Sequence, residues 1–333
     1  MKTVLLRRPG GPDVLETVDV PLPTPKADEV LIRTKAIGVS RPDVLIRKGI
    51  YAWMPPLPAS PGSELTGIVE IAGADVDTLR PGQSVLLSAR DLPVRGGCYT
   101  EAIAVPAAAV HLLPEEVDLD QAVVLPSYLV AYAMLHDMGS RPGTRSIFVA
   151  GAAGSVGGAL VELAKAQGLI VIGSAGSPQR MAYARSLGAD HVVNYRDEPI
   201  VDRVLELTQG RGVDIAFDHV IGPQFADLLH LLADFGTLVF YNIHAPMPEK
   251  DVFGEMRLTS ARSPAIRCFN MHTYDHHPAA RREMTRSLIQ LLAAGRIRPR
   301  IGLQLPLSQA AEAHRLLEQG AVSGKIILKP DGL

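Results

Sequence analysis

The feature that most restricts the fold of this 333-residue chain is a glycine turn set between an apolar run and an amphipathic one. Ser146-Ile147-Phe148-Val149-Ala150 has the content of a buried strand, and it passes directly into Gly151-Ala152-Ala153-Gly154-Ser155-Val156-Gly157. Val156, Ala159, Leu160, Leu163 and Ala164 then recur at helical spacing through Gln167, with Gly168 placed as a C-terminal cap. Strand, glycine turn and helix in this order begin a βαβ unit that binds the pyrophosphate of a dinucleotide. Ala152, Ala153, Gly154, Ser155, Val156 and Gly157 match the pattern G-x-G-x-x-G with alanine at the first glycine. Gly154 lets the backbone approach the pyrophosphate, Gly157 lets the helix pack against the sheet, and the helix N-terminus offers N–H groups and a positive dipole end. Glycines that merely close a tight turn would not need the strand before and the amphipathic helix after.

The same rhythm continues. Leu169 to Gly173 reads as the next strand, and Ser177-Pro178 as an N-cap followed by proline at the first helical position, the helix ending at Gly188. Strands are expected at His191–Tyr195, Val213–Asp218 and Thr237–Tyr241, with a helix over Phe225–Leu232, giving a doubly wound parallel sheet. Before about Val110 the texture differs. Short Val-, Ile- and Thr-rich runs such as Glu29–Ile37 and Glu64–Ala72 are cut by Pro and Gly, as in an antiparallel β domain. After a long helix near Arg281–Ala294 the β texture returns at Ile301–Leu305 and Lys325–Lys329, so the tail is expected to rejoin the first domain. The fold class is therefore α/β, with residues 1–122 and 297–333 forming one discontinuous domain and 123–296 the dinucleotide-binding domain.

An acid about 20 residues beyond the turn, which holds the ribose 2′-hydroxyl in NAD-preferring sites, is missing. Ser174 stands near that place, and the sequence has no acid between Glu162 and Asp190. Ser174, Ser177 and Arg180 can instead hydrogen-bond or neutralise a 2′-phosphate, so the expected cofactor is NADPH. Arg180 read by itself is equally a solvated helix residue.

A formal net charge of −2 with 20% charged residues gives no general reason to bind nucleic acid or an anionic membrane, so the partner is sought in a pocket. Ala122–Leu135, the longest weakly polar stretch, is interrupted by Pro126 and is shorter than the ~20 residues of a membrane span. The N-terminal apolar run is too short for a signal peptide, and the two cysteines, Cys98 and Cys268, build no disulfide framework. A cytoplasmic enzyme is expected.

Further motifs recur in order: Gly62-Ser63-Glu64-Leu65-Thr66-Gly67-Ile68-Val69, Arg80-Pro81-Gly82-Gln83-Ser84-Val85, Gly96-Gly97-Cys98-Tyr99-Thr100-Glu101 and Ser323-Gly324-Lys325-Ile326-Ile327-Leu328. With the glycine turn they make the chain resemble the medium-chain dehydrogenase/reductase superfamily, and within it the zinc-free quinone oxidoreductases of the zeta-crystallin type. The resemblance implies a GroES-like β domain built from both chain ends, a Rossmann domain, an active site in the cleft, and a homodimer or homotetramer. Zinc alcohol dehydrogenases of the superfamily carry cysteine where this chain has Ser40 and histidine where it has Ser63. Hydroxyls are poor zinc ligands beside thiolate and imidazole, so no metal is expected. The cluster His272-Thr273-Tyr274-Asp275-His276-His277, closed by Pro278, is read as a solvated loop rather than a metal site.

Related quinone reductases carry asparagine at the Ser40 position, near the nicotinamide. Ser40 with Asp43 equally fits a capping-box-like start of a helix ending near Gly49, so both roles stay open. The resemblance also implies that Tyr51 and Trp53 line the substrate cleft, with Tyr128, Asn242 and Phe269 as further candidates. Tyr195 matches a tyrosine beside the adenosine phosphate. A family threonine contact is replaced by Val130, and a C-terminal arginine is absent, for which Lys325 either compensates or is a surface charge.

Without a metal, the least demanding chemistry is hydride transfer to an acceptor that delocalises its own charge, with the protein supplying proximity and a dry cleft. NADPH-dependent quinone reduction is the first expectation, and reduction of an enone or enal C=C bond the second. The third is of another class, an NADPH-binding sensor or structural protein without important turnover.

Overall fold

The computed structural model describes residues 1–139, 141–241 and 247–331. In chain order its elements are β1 (Lys2–Leu6), β2 (Leu15–Asp19), β3 (Glu29–Val39), α1 (Arg41–Arg47), β4 (Glu64–Ala72), β5 (Ser84–Ser88), β6 (Ala102–Pro106), β7 (Val110–Leu112), α2 (Leu119–Ala122) and α3 (Leu125–Ala133). There follow β8 (Ser146–Val149), α4 (Ser155–Ala166), β9 (Ile170–Ala175), α5 (Pro178–Ser186), β10 (His191–Asn194), α6 (Ile200–Leu207), β11 (Val213–Asp218) and β12 (Leu232–Phe240). The last are α7 (Val252–Leu258), β13 (Ala265–Cys268), α8 (Pro278–Ala293), β14 (Ile301–Pro306), α9 (Ala310–Gln319) and β15 (Lys325–Lys329). The chain divides into two units, Met1–Pro126 with Thr285–Leu333, and Ser127–Met284.

In the first unit β3 organises the sheet. Its 11 residues pair with β4 along one side, while the other side takes β6 at Glu29–Arg33 and β15 at Ile37–Val39. The tail thus supplies a strand that the N-terminal part lacks. Val30, Ile32, Ile37, Val39, Leu65, Val69, Val85, Leu87, Ile326 and Leu328 meet in one buried core, each contributing about 1.5–3 kcal/mol. The sheet departs from the expected purely antiparallel pattern at its end. β14 pairs with β15 in parallel, because α9 returns the chain to the same end before β15 begins, and parallel neighbours need such a crossover.

The second unit holds a six-stranded sheet of order β10-β9-β8-β11-β12-β13, parallel at every pair. This is the doubly wound Rossmann order, whose direction reverses between β8 and β11. Phe148, Ile172, Val193, Ala216, Phe225, Leu229 and Leu238 form its core. Two short segments differ from expectation. Phe225–Leu231 is a 3-10 helix, which buries five of its seven side chains in the space an α-helix was expected to fill. Met271–His276 is a second 3-10 helix rather than a solvated loop. Met271 and Tyr274, three residues apart and on one face of that tight helix, are both buried. His272 Nδ1 is 3.0 Å from Asp275, whose other oxygen lies 3.2 Å from Arg281.

A buried ion pair helps fasten the C-terminal strand to the rest of the first unit, with Lys329 and Asp120 forming a second, half-buried pair. The Lys325 ammonium on β15 donates to Glu64 on β4, and both residues are buried. Lys325 is therefore not a surface charge, being only 2% exposed. Removing one partner leaves the other charged and desolvated, which costs about 3–5 kcal/mol, whereas replacing both with apolar groups is often nearly neutral. Lys325→Met is expected to lower stability in urea unfolding by about that amount, and Lys325→Met/Glu64→Leu to recover most of it. A double variant no more stable than the single one would contradict this assignment.

Candidate cofactor and active site

The glycine turn joins β8 to α4 at the point where the sheet reverses direction. Gly154 is the N-cap of α4, in extended conformation and exposed. The first turn of α4 turns its N–H groups and the positive end of the helix dipole toward the glycine turn, the kind of end that takes an anion. Ala152 and Ala153 are buried beneath the turn, while Ser155 and Val156 are half-buried. A Cβ on Gly157 would stand 2.3 Å from the Gly151 carbonyl oxygen, so this residue must be glycine for the turn to close on its helix. The turn is tied to the next strand by Ala152 N–H donating to the Ser174 carbonyl at 3.0 Å and Gly151 N–H to the Ser174 hydroxyl at 3.4 Å. A dinucleotide pyrophosphate fits such a cradle.

The rim beyond β9 and β10 gathers the residues read for the adenosine end. Ser174 is buried at the C-terminal end of β9, its hydroxyl accepting from the turn. Ser177 caps α5, accepting from Arg180 N–H at 3.4 Å. Arg180, in the first turn of α5, is half-buried, and its guanidinium makes no ion pair among the described residues. Tyr195 lies 48% exposed, its hydroxyl 2.2 Å from where a Cβ on Gly176 would stand, so glycine there lets the ring lie across the strand end. These are side chains of one edge.

At the ends of the remaining strands, Asp218 accepts from the Val220 and Ile221 N–H groups at 3.2 and 2.8 Å and fixes the turn after β11. His219 packs against Gly151, donating to the Ala150 carbonyl, and burial holds its imidazole below the ordinary range. Phe269 is buried after β13, its N–H donating to the Phe240 carbonyl at 2.9 Å. Tyr128, on α3, is buried and its hydroxyl donates to Glu162 of α4, a bond its candidacy as a cleft residue had not included. Asn242 lies outside the described residues. His219 and Glu162, which these contacts bring to the glycine turn and to Tyr128, were not among the residues read from the sequence because neither belongs to the fingerprint. Their signal was position, one directly after a strand end and the other on the turn's own helix.

In the first unit, Ser40 opens α1 after β3, and Ser63 precedes β4. The expected capping box is present, with the Ser40 side chain set at the Asp43 backbone and the Asp43 carboxylate accepting from Ser40 N–H at 2.7 Å. The Ser40 hydroxyl has further partners. It donates to Glu64 Oε1 at 2.8 Å and accepts from Lys325 Nζ at 3.0 Å. Ser63 donates to Asp43 Oδ1 at 2.6 Å. Tyr99 places its hydroxyl 3.4 Å from Asp43 Oδ2 and 3.0 Å from His314 Nε2.

Two buried carboxylates, Asp43 and Glu64, thus face one ammonium, which contacts Glu64. Burial pushes the Asp43 carboxyl up to about 7, with the Glu64 charge adding to the rise, while hydrogen bonds from Ser63 and Ser40 and the charge of Lys325 oppose it. Burial likewise raises Cys98 and Tyr99 well above their ordinary values, with the nearby Asp43 and Glu64 charges contributing. His314, desolvated and beside Arg47, is pushed down to about 3. Glu64 and Tyr99 went unnoticed in the sequence as site residues, although Ser63-Glu64 and Ser40-x-x-Asp43 each set an acid beside a serine. Tyr51 and Trp53 form a tilted pair with ring centroids 5.7 Å apart in the loop after α1, Trp53 being 42% exposed.

The comparisons agree with this architecture. Residues 26–115 match the family model "Alcohol dehydrogenase GroES-like domain" and 187–328 match "Zinc-binding dehydrogenase". The quinone oxidoreductase of Salmonella typhimurium is 32% identical over 331 residues, covering 96% of this chain and 97% of its own. A solved NAD-dependent alcohol dehydrogenase is 30% identical with a TM-score of 0.88, covering 99% of each chain. The Escherichia coli quinone oxidoreductase, solved in complex with NADPH, is 28% identical with a TM-score of 0.85, covering 99% of this chain and 100% of its own. With GroES-like and Rossmann units, a nicotinamide-dinucleotide turn and this full-length likeness, the chain is an oxidoreductase that belongs to the quinone oxidoreductase family of the medium-chain dehydrogenase/reductases.

Proposed function

We propose that this chain is a metal-independent oxidoreductase that carries hydride from NADPH to a quinone. The observation that carries the reading is the Lys325 ammonium, 3.0 Å from Ser40 Oγ. A cation held there opposes a second cation at the serine, and the hydroxyls of Ser40 and Ser63 are weak zinc donors. An acceptor that spreads its own developing charge then suits the site, and quinones do so. Reduction of an enone or enal C=C bond obeys the same requirement and is the second reading.

NADPH supplies the hydride. The N-terminus of α4 holds its pyrophosphate, while Ser174, Ser177, Arg180 and Tyr195 take the 2′-phosphate end. That rim offers a guanidinium and no carboxylate across α5, which supports NADPH over NADH. Phe269 and Asn242 are assigned to the nicotinamide end, and Tyr51 and Trp53 to stacking a planar acceptor. Lys325, with its ammonium engaged by Glu64 and Ser40, acts on the cofactor side only through Ser40. The expected division at residues 122/123 and 296/297 stands as a proposal beside the compact units, which part at 126/127 and 284/285.

We assign a homodimer, or a tetramer built from it, in which β13 is the surface of choice. This strand closes the sheet at one edge with Ala265, Arg267 and Cys268 exposed, and an edge strand invites pairing. No helix among the described residues is long and apolar enough to cross a membrane, and Cys98 and Cys268 are both free, which suits the cytoplasm.

Two experiments test the reading. Arg180→Ala is expected to weaken NADPH binding about tenfold or more in fluorescence titration, equivalent to about 1.4 kcal/mol, and to leave NADH binding unchanged. Equal losses for the two cofactors would remove the 2′-phosphate assignment. In steady-state assays with NADPH against 1,4-benzoquinones, 9,10-phenanthrenequinone and 2-alkenals, the quinones are expected to give the highest kcat/KM. Activity on alkenals alone selects the second reading, and NADPH binding without turnover on any acceptor selects a non-catalytic sensor or structural protein.

A further inference from the structure

We infer that a cleft in the second unit, at the end of its parallel sheet opposite the glycine turn, binds a polyphosphate chain through four arginines. The hydride-transfer reading makes no use of this cleft, and the site stands or falls independently of it.

The cleft holds about 620 Å³, and its lining includes Arg141, Arg145, Arg211, Arg262, Asp214 and Asp234. Arg145 precedes β8 and Arg211 precedes β11, whereas the glycine turn and His219 follow those same strands. The length of the sheet therefore separates the cleft from the dinucleotide cradle.

Its charges do not balance. Four guanidiniums meet two carboxylates, in a chain whose formal net charge is −2. Asp214 is buried and already engaged, accepting from the N–H groups of Arg145 and Ser146 at 2.9 and 3.0 Å and from Arg211 at 2.6 Å. Asp234 is exposed, and its backbone carbonyl rather than its carboxylate accepts from Arg141, at 2.7 Å. Arg262 likewise donates to the carbonyls of Leu232 at 2.5 Å and Gly210 at 3.1 Å. A carbonyl orients a guanidinium without cancelling its charge, so Arg141 and Arg262 are fixed but not neutralised. Arg145 is exposed and makes no ion pair among the described residues.

The wall that holds Arg141 is strained. Between Leu232 and Thr237 β12 bulges away from β11. Phe235, within the bulge, has φ 58° and is 63% exposed, and the Arg141 guanidinium lies 5.5 Å from its ring centroid. The left-handed region is unfavourable for an aromatic residue, and residues held there gather where ligands are clamped. The bulge thus positions one cation of the cleft with a carbonyl and a ring face.

The chemistry of the lining selects the ligand. A guanidinium carries five N–H donors in a planar fork that matches phosphate oxygens in pairs, so each arginine keeps donors beyond those used on the backbone. The cleft is larger than one phosphate group and within the range of about 300–1,000 Å³ that small-molecule sites occupy. Several cations around such a volume suit linked phosphates, supplied either by an inorganic polyphosphate or by a nucleotide.

The test is isothermal titration of the full chain, loaded with one equivalent of NADPH in phosphate-free buffer at low salt, with inorganic tripolyphosphate, ADP and ATP. One equivalent of tripolyphosphate is expected to bind while the fluorescence of bound NADPH stays constant. Arg145→Ala, which removes an exposed side chain with no ion pair to lose, is expected to weaken that binding about tenfold, and Arg141→Ala/Arg145→Ala about 100-fold. NADPH affinity and the thermal midpoint should stay at native values in both variants. Tighter binding of ATP than of tripolyphosphate would support the site with a nucleotide as its ligand, and equal binding would support it with the phosphate chain alone recognised. Three results would overturn it: no heat with millimolar tripolyphosphate, heat accompanied by release of NADPH, or binding that both variants leave unchanged.

Discussion

The first unit depends on a buried ion pair with a second acid buried beside it. Asp43 and Glu64 lie buried with one ammonium, Lys325, between the strands. Glu64 comes from β4, Asp43 from α1 and Lys325 from β15, so closing the sheet with the C-terminal strand also brings the counter-charge. Burying two acids beside one ammonium disfavours the second negative charge, and the Asp43 carboxyl is pushed up to about 7, chiefly by burial. Fold and electrostatics therefore share the same residues: the Glu64 charge of the pair that helps fasten β15 adds to that rise, while its Lys325 opposes it.

The second unit solves a separate problem with backbone rather than side chains. Its parallel sheet reverses direction between β8 and β11, and the turn leaving β8 must pass close to the α4 N-terminus. Gly157 permits that approach, since its Cβ would lie 2.3 Å from a carbonyl oxygen. At the end proposed for the 2′-phosphate, Ser177 and Arg180 stand at the start of α5 as the proposed donor and cation. Ser177 already caps that helix, so one hydroxyl both starts the helix and edges the site.

Local patterns were legible before the structure. The strand from Val213 to Asp218, the glycine turn, the Ser177-Pro178 helix start and the strand Lys325–Lys329 each have a short-range cause, and each is found where its residues indicated. Long-range pairings were not. That Lys325 would meet Glu64 and Ser40, 261 and 285 residues away, has no local signature, and a lysine at a strand start reads equally as a surface charge. The 3-10 helix at Met271–His276 was hidden for the opposite reason, since two histidines and an aspartate dominate its composition while two residues, Met271 and Tyr274, bury it. Ser40 was legible as a helix start but not as the hydroxyl that bridges Lys325 and Glu64, because that role depends on two strands distant in sequence.

In the function proposed above, the hydrogen-bonded hydroxyls of Ser40 and Ser63 stand where a catalytic metal would need ligands, and hydride transfer would proceed without a Lewis acid. The most direct measurement is NADPH oxidation by a quinone before and after exhaustive treatment with a strong chelator, with zinc then added back. An unchanged rate throughout is the expected result. A rate lost on chelation and restored by about one equivalent of zinc per chain would contradict it.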